Sequence, residues 1–251
     1  RFDQIEITPP TTIRLNLARA MLGQTPMPPA ATRPSDGSGG VWFPDQASTV
    51  APGVDMVFDI ITRISIFFLV LVVAVMVWFV MKYHTGRAPK ATSDVTHNTP
   101  LELTWTIIPL ILVIAIFYVG LEGYLNLRHA PLGAYEVRVT AQKWSWSFNH
   151  PNGASESGIL RVPLGRPVKL IMESKDVLHA LFIPSFRVKQ DIVPGRFTTL
   201  WFEATKEGDF DLYCAEYCGK DHSLMRARVV VAPEAEFQRE LNVVRDFHNT
   251  L

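Results

Sequence analysis

Residues 64–81 read ISIFFLVLVVAVMVWFVM and carry no charged side chain. As an α-helix rising about 1.5 Å per residue, such a run reaches across the roughly 30 Å hydrocarbon core of a bilayer. It is apolar all round and lacks the polar face of a helix lying on a soluble domain, so a buried soluble helix is the second reading. Residues 103–121 form another run of this kind, with Pro109 inside it. The proline predicts a kink, which lipid tolerates where neighbouring groups satisfy the freed carbonyl. Together the two runs predict a transmembrane hairpin. Its connection carries Lys82, Arg87 and Lys90. Short basic loops stay on the cytoplasmic side, so both ends of the chain are expected on the outer side.

The remainder divides by composition. Residues 1–53 are rich in proline and glycine and poor in apolar periodicity, and they read as an extended segment. The sequence begins at Arg1 with no initiator Met and no apolar leader, so a removed leader or a missing start is expected. The hairpin occupies residues 54–127. Beyond it, 136–141, 167–173, 196–203 and 209–213 are rich in β-branched and aromatic residues between Gly and Pro turns, and predict a β-sandwich over 128–232. Residues 233–251 predict a closing helix. With a net charge of +0 and 19% charged residues, nothing points to a nucleic-acid partner.

Chemistry concentrates in YCAEYCGKDHSLM at 213–225, which holds both cysteines of the chain, Cys214 and Cys218, together with Glu216, His222 and Met225. Thiolates, imidazole and thioether are soft donors that suit copper rather than magnesium, calcium or manganese. His179, in the strand-like VLHALFI at 177–183, offers a second imidazole. The Cys-x3-Cys spacing lets both thiolates bridge two metal ions, each with one terminal imidazole. The Met225 thioether and the Glu216 carbonyl would complete them as weak axial donors. A disulfide is the ordinary alternative in an oxidising compartment, but it explains neither histidine nor the methionine. Zinc is a further alternative, and the Met ligand argues against it.

His179 with Cys214-x-Glu216-x-Cys218-x3-His222-x2-Met225 resembles the CuA signature of subunit II of haem-copper cytochrome c oxidases. DVLHA at 176–180 and KQDIVPGR at 189–196 extend the resemblance, which covers residues 41–231. It implies a membrane-anchored α+β protein, a two-helix transmembrane hairpin carrying a cupredoxin-like Greek-key β-sandwich in the periplasm of a bacterial plasma membrane or its equivalent. It also implies a binuclear copper centre held by the six residues above, taking electrons from cytochrome c and passing them to haem groups in subunit I. Oxygen is reduced there and protons are pumped. By the same resemblance Glu102 stands at a proton-channel entrance, and Trp144 receives the electron. The Glu216 carboxylate reaches a Mg or Mn ion shared with subunit I, and Asp191 lies near that interface.

Several residues carry weaker expectations. Trp146 is read as sharing a strand face with Trp144, while Ser145 stands where many members have an aromatic. Glu203, Glu207, Asp209, Asp211 and Asp221 are read as carboxylates near the copper loop that steer a basic donor. His84, His97, His129, His150 and His248 receive no role. Covalent haem is not expected, because the chain has no Cys-x-x-Cys-His. The quinol-oxidising branch of the family lacks the copper ligands, and nitrous-oxide-reducing enzymes need a large second domain. The alternative of another class is a membrane-tethered copper-binding or copper-delivery protein.

Overall fold

The computed structural model describes residues 36–87, 95–248 and 250. Residues 1–35 of the extended segment, and Lys90 in the connection, lie outside them. Two long helices come first, α1 (Ala51–Lys82) and α2 (Thr99–Arg128). Both outrun the apolar runs at 64–81 and 103–121, continuing into turns that carry charged residues, Asp55, Asp59 and Arg63 before the first run and Glu122 and Arg128 after the second. The apolar windows of both are unburied within the chain, as suits helices whose solvent is lipid. α2 continues through Pro109. Its start is capped reciprocally: Asn98 Oδ1 accepts the Leu101 N–H at 3.2 Å, and Glu102 Oε1 accepts the Asn98 N–H at 3.0 Å. At the far end of α1 the Lys82 ammonium lies 4.7 Å from the Trp78 ring and 5.2 Å from the Tyr83 ring, an aromatic and basic girdle of the interfacial kind.

A separate compact unit holds the described residues before Pro52 and after Asn126. Its strands are β1 (Tyr135–Gln142), β2 (Ser145–Asn149), β3 (Ser155–Ser157), β4 (Ile159–Pro163), β5 (Pro167–Ser174), β6 (His179–Ile183), β7 (Val188–Ile192), β8 (Thr198–Glu203), β9 (Gly208–Cys214) and β10 (Arg226–Ala232). They form two sheets, ordered β3-β2-β1-β5-β8 and β4-β10-β9-β6-β7. Alternation explains the layering. In β1 Val137, Val139 and Ala141 are buried while Glu136, Arg138 and Gln142 are exposed, and β5 buries Val168, Leu170 and Met172. Facing them from the second sheet are Leu160, Val162, Leu181, Ile183, Leu212, Val229 and Val231, so one core fills the space between the sheets. β1 pairs with β5 and β4 with β10 in parallel, and the other ladders are antiparallel.

The segment ahead of α1 is tied to this unit. Ala47 is fully buried, its N–H donates to Ser185 O at 2.9 Å, and its carbonyl accepts the Thr205 N–H at 3.0 Å. Ser48 Oγ donates to Phe186 O at 2.8 Å and accepts the Ala51 N–H at 3.2 Å, capping α1. Arg187, in the left-handed region at φ 57°, donates to Pro44 O at 2.7 Å and covers the Phe43 ring at 4.8 Å.

The closing helix is α3 (Glu234–His248). Phe237, Leu241 and Val244 fall at i, i+4 and i+7, and bury one stripe against Ala154 and Ala232. Beneath it lies His150, 5% exposed, its Nδ1 3.2 Å from the Tyr135 hydroxyl and its Nε2 without a hydrogen-bond partner. Burial, helped by the Arg161 charge, holds its pKa down from 6.5 to about 4. The unfolded chain takes up this proton near pH 6.5 and the folded chain only near pH 4. Stability is therefore full above pH 6.5 and falls as the pH drops toward 4, by at most about 1.4 kcal/mol per unit. Glu156, whose carboxyl burial pushes upward, acts in the opposite sense, so a histidine variant isolates the effect. We expect His150→Phe to keep the fold and to lose less melting temperature than wild type between pH 7 and pH 5. Equal losses in the two proteins would show that His150 does not titrate as its burial requires.

Candidate metal centre

The site grows out of one central strand. β9 lies between β10 and β6, with Arg226 opposite Tyr213 on one side and Leu181 opposite Cys214 on the other. Cys214 ends β9, and its N–H donates to Met225 O at 3.1 Å, which closes the hairpin loop that contains the other ligand candidates. Ala215 N donates to Ala180 O at 2.9 Å, holding the loop beside His179 at the start of β6. Inside the loop Gly219 takes φ +124°, a conformation that residues with a side chain rarely adopt, and the chain turns back there. A short 3-10 turn, His222–Leu224, then presents His222.

Six donors meet as a result. The Cys214 and Cys218 sulfurs are 3.8 Å apart, about twice the length of a disulfide bond, and both thiols are free. His179 Nδ1 lies 3.8 Å from Cys214 Sγ, and His222 Nδ1 3.5 Å from Cys218 Sγ. Met225 Sδ is 3.7 Å from Cys218 Sγ, and Glu216 O 3.3 Å from Cys214 Sγ. The ligating atoms of His179, Cys214 and Cys218 alone fall within 4.8 Å of one another. His179, Cys214, Cys218 and Met225 are all buried. Burial first, then the neighbouring Cys214, pushes the Cys218 thiol up to about 12. A cation placed between the two sulfurs would offset that cost and favour the thiolate. The chemistry of the donor set thus fits a soft metal, and the thioether fits copper better than zinc.

Residues around the donors fix their orientation. Asp176 Oδ1 lies 2.8 Å from His179 Nε2, which assigns Nε2 as the donor and turns the Nδ1 lone pair toward the sulfurs. Burial opposes the charge on Asp176, but bonds from His179 and from the Lys143 and Val177 amides outweigh it and bring the carboxyl down to about 2. Trp146 is fully buried; its ring stands edge-on to His179 at 6.3 Å, and its Nε1 donates to Met225 O at 3.4 Å. The sequence gives Asp176 no role. Its carboxylate three residues before a candidate ligand was the available signal.

Some sequence expectations change. Trp144 and Trp146 do not share a strand face: Trp144 lies in the β1–β2 turn with its ring partly exposed, and β2 begins only at Ser145. The Trp144 ring instead covers the metal loop, close enough that a methyl group on Gly219 would lie 3.4 Å from its Nε1. Glu203, Glu207 and Asp209 are not near the loop. Asp209 is five residues before Cys214 on an extended strand, roughly 17 Å away at about 3.4 Å per residue, and Glu203 O accepts the Thr49 N–H beside the segment leading to α1. Asp209 is moreover paired with Arg228 at 3.2 Å. Asp221 does lie in the loop, and Asp191 is exposed on β7 opposite Ala180. Glu102 belongs to the helical unit, where it caps α2.

Two lipid-type helices and a two-sheet domain with a soft-donor metal loop define a membrane-anchored cupredoxin-like protein. Residues 37–122 match the family described as cytochrome C oxidase subunit II, transmembrane domain, and residues 154–232 match its periplasmic domain. The chain is 30% identical to cytochrome c oxidase subunit 2 of Thermostichus vulcanus, over 78% of this chain and 76% of the relative. It is 30% identical to alternative cytochrome c oxidase subunit 2 of Bradyrhizobium diazoefficiens, over 77% and 81%. A solved structure, the periplasmic domain of subunit II of cytochrome oxidase of Bradyrhizobium japonicum, is similar at 27% identity, 47% and 98% coverage and a TM-score of 0.45. The chain belongs to the subunit II family of haem-copper cytochrome c oxidases, and is thus a subunit of an oxidoreductase.

The thiol chemistry yields a direct test. Both cysteines are free, so a soft metal held through both sulfurs should displace about two protons per chain near pH 7. A pH-stat titration of the reduced full chain with copper measures this. Release of no protons would mean that the sulfurs are not the ligands.

Proposed function

We propose that this chain is the electron-receiving subunit of a cytochrome c oxidase, with a binuclear copper centre held by His179, Cys214, Cys218, His222, Met225 and the Glu216 carbonyl. The observation that carries this reading is the convergence of those donors from β6 and the β9–β10 loop. Copper bound by these residues would supply a carrier that takes and gives one electron at a time. The chain's own residues keep the accompanying rearrangement small. Cys214, Cys218, His179 and Met225 are buried against the sandwich core, which excludes water, and the β9 ladders fix where the sulfurs stand. Asp176 keeps His179 in the tautomer that offers Nδ1.

Cytochrome c is the proposed donor, and Trp144, partly exposed and lying against the metal loop, the proposed receiver of its electron. Haem groups in subunit I would take the electron onward, with oxygen reduction and proton pumping in that partner. The Glu216 carboxylate, an oxygen donor suited to a hard ion, is the proposed contribution to a Mg or Mn site shared with subunit I. Lys82 and Arg87 favour a cytoplasmic connection, and hence a metal domain on the periplasmic side of a bacterial plasma membrane or its equivalent. For Glu102 the proposed role is the entrance of a proton channel; its cap on Asn98 gives it a structural duty as well.

Electron paramagnetic resonance of the copper-loaded chain, with copper counted on the same sample, tests the centre. We expect two coppers per chain and hyperfine splitting from both nuclei. One copper with a single-nucleus pattern would favour a copper-binding or copper-delivery protein. In the assembled oxidase, Trp144→Ala should slow electron uptake from cytochrome c at least tenfold with the copper spectrum intact. Glu102→Ala should slow proton uptake, and unchanged turnover and pumping would remove Glu102 from the proton path.

A further inference from the structure

We propose that Asp176 is a positioning residue, tying the ligand His179 to the turn that presents Trp144, so that one carboxylate sets both the metal ligand and the electron receiver. The inference rests on the proposed function for the roles of His179 and Trp144. The geometry itself does not depend on it.

The two carboxylate oxygens address different elements. Oδ1 lies 2.8 Å from His179 Nε2 and accepts the Val177 N–H at 2.6 Å. Oδ2 accepts the Lys143 N–H at 2.7 Å, one residue before Trp144. The loop that carries Asp176 is itself held: Lys175 N donates to Ala141 O at 3.0 Å at the end of β1, Asp176 N donates to Ser174 Oγ at 3.2 Å, and that hydroxyl donates to Val177 O at 2.5 Å. The carboxylate therefore has little freedom of its own. A shift of the His179 ring moves the acceptor of the Lys143 amide, and a shift of the turn moves the acceptor of the imidazole.

An amide cannot replace it. The Nδ2 of an asparagine donates only, so of the three N–H groups facing residue 176 either that of Lys143 or those of His179 and Val177 would lose their acceptor, depending on which way the amide turned. Loss at His179 makes the imidazole a weaker electron donor to a metal at Nδ1, which favours the reduced ion and raises the potential. Loss at Lys143 loosens the turn beneath the Trp144 ring. A glutamate restores the charge but reaches one methylene further, and does not restore both positions.

The test uses the copper-loaded full chain in detergent, comparing wild type, Asp176→Asn and Asp176→Glu. Two readouts are followed: the potential of the copper centre, and the indole N–H resonance of Trp144, assigned through Trp144→Phe. We expect Asp176→Asn to raise the potential and also to shift or broaden the Trp144 resonance, and Asp176→Glu to restore neither fully. A variant that changes only the salt dependence of donor association would make Asp176 a surface charge and overturn the proposal. Movement of the copper potential alone would leave an ordinary ligand orienter and overturn the tie. Should Asp176→Asn hold no copper, the Trp144 resonance of the metal-free chains decides: a shift supports the tie and an unmoved resonance overturns it. Failure of the wild-type chain to bind two coppers would instead remove the proposed function, while the metal-free Trp144 resonance would still test the link.

Discussion

The register of β9 is the constraint from which the site follows. This strand is bonded on both sides, to β10 and to β6, and its last residue is Cys214. A slip of one residue would reverse every side chain along it, exposing Phe210 and Leu212 and turning Cys214 away from His179. The hydrophobic core that fixes β9 thus also fixes where a sulfur stands relative to an imidazole from another strand. The loop beyond needs only to close on Met225, which the Cys214 amide ensures. Precision at the site is borrowed from burial elsewhere, with no need for a rigid loop.

The same arrangement creates a tension that a cation relieves. Two thiols are brought together where water is scarce, and burial beside Cys214 makes the Cys218 thiol resist ionisation. Around them the structure places groups that are already satisfied: Asp176 with three donors, Trp146 against Met225 O, and Met225 O shared with the Cys214 amide. The ligand cluster is a poorly balanced spot among these satisfied groups. Metal affinity at such a place includes the relief of an unfavourable ground state, beyond the strength of the new bonds.

What the sequence disclosed depended on how local each signal was. The apolar runs at 64–81 and 103–121 were legible because lipid demands length and uniformity, and both are readable without a partner. The metal loop was legible because five of its donors lie within twelve residues of chain, from Cys214 to Met225. β1, β5, β8 and β9 alternate strongly and stood out, whereas the three-residue β3 and the short β4 and β7 owe their strand character to neighbours distant in the chain. Trp144 was misplaced onto a strand because spacing does not reveal that Lys143 and Trp144 form a turn. Glu203, Glu207 and Asp209 were misplaced for a related reason: nearness in sequence to an extended strand's end translates into distance in space. Asp176 went unassigned because its partners come from separate turns.

The sheets pair β4 with β10 and β1 with β5 in parallel, joining segments far apart along the chain. Such pairings form late, since long stretches must close before any contact rewards them. Until the sandwich closes and β6 docks on β9, His179 and Cys214 have no fixed relation, and the two thiols remain open to whatever surrounds the folding chain. On the oxidising outer side proposed for this domain, completion of the centre becomes a race in time between sandwich closure with metal capture and oxidation of the cysteines to a disulfide. The topology that holds the ligands so firmly once folded is also what leaves them unguarded longest beforehand.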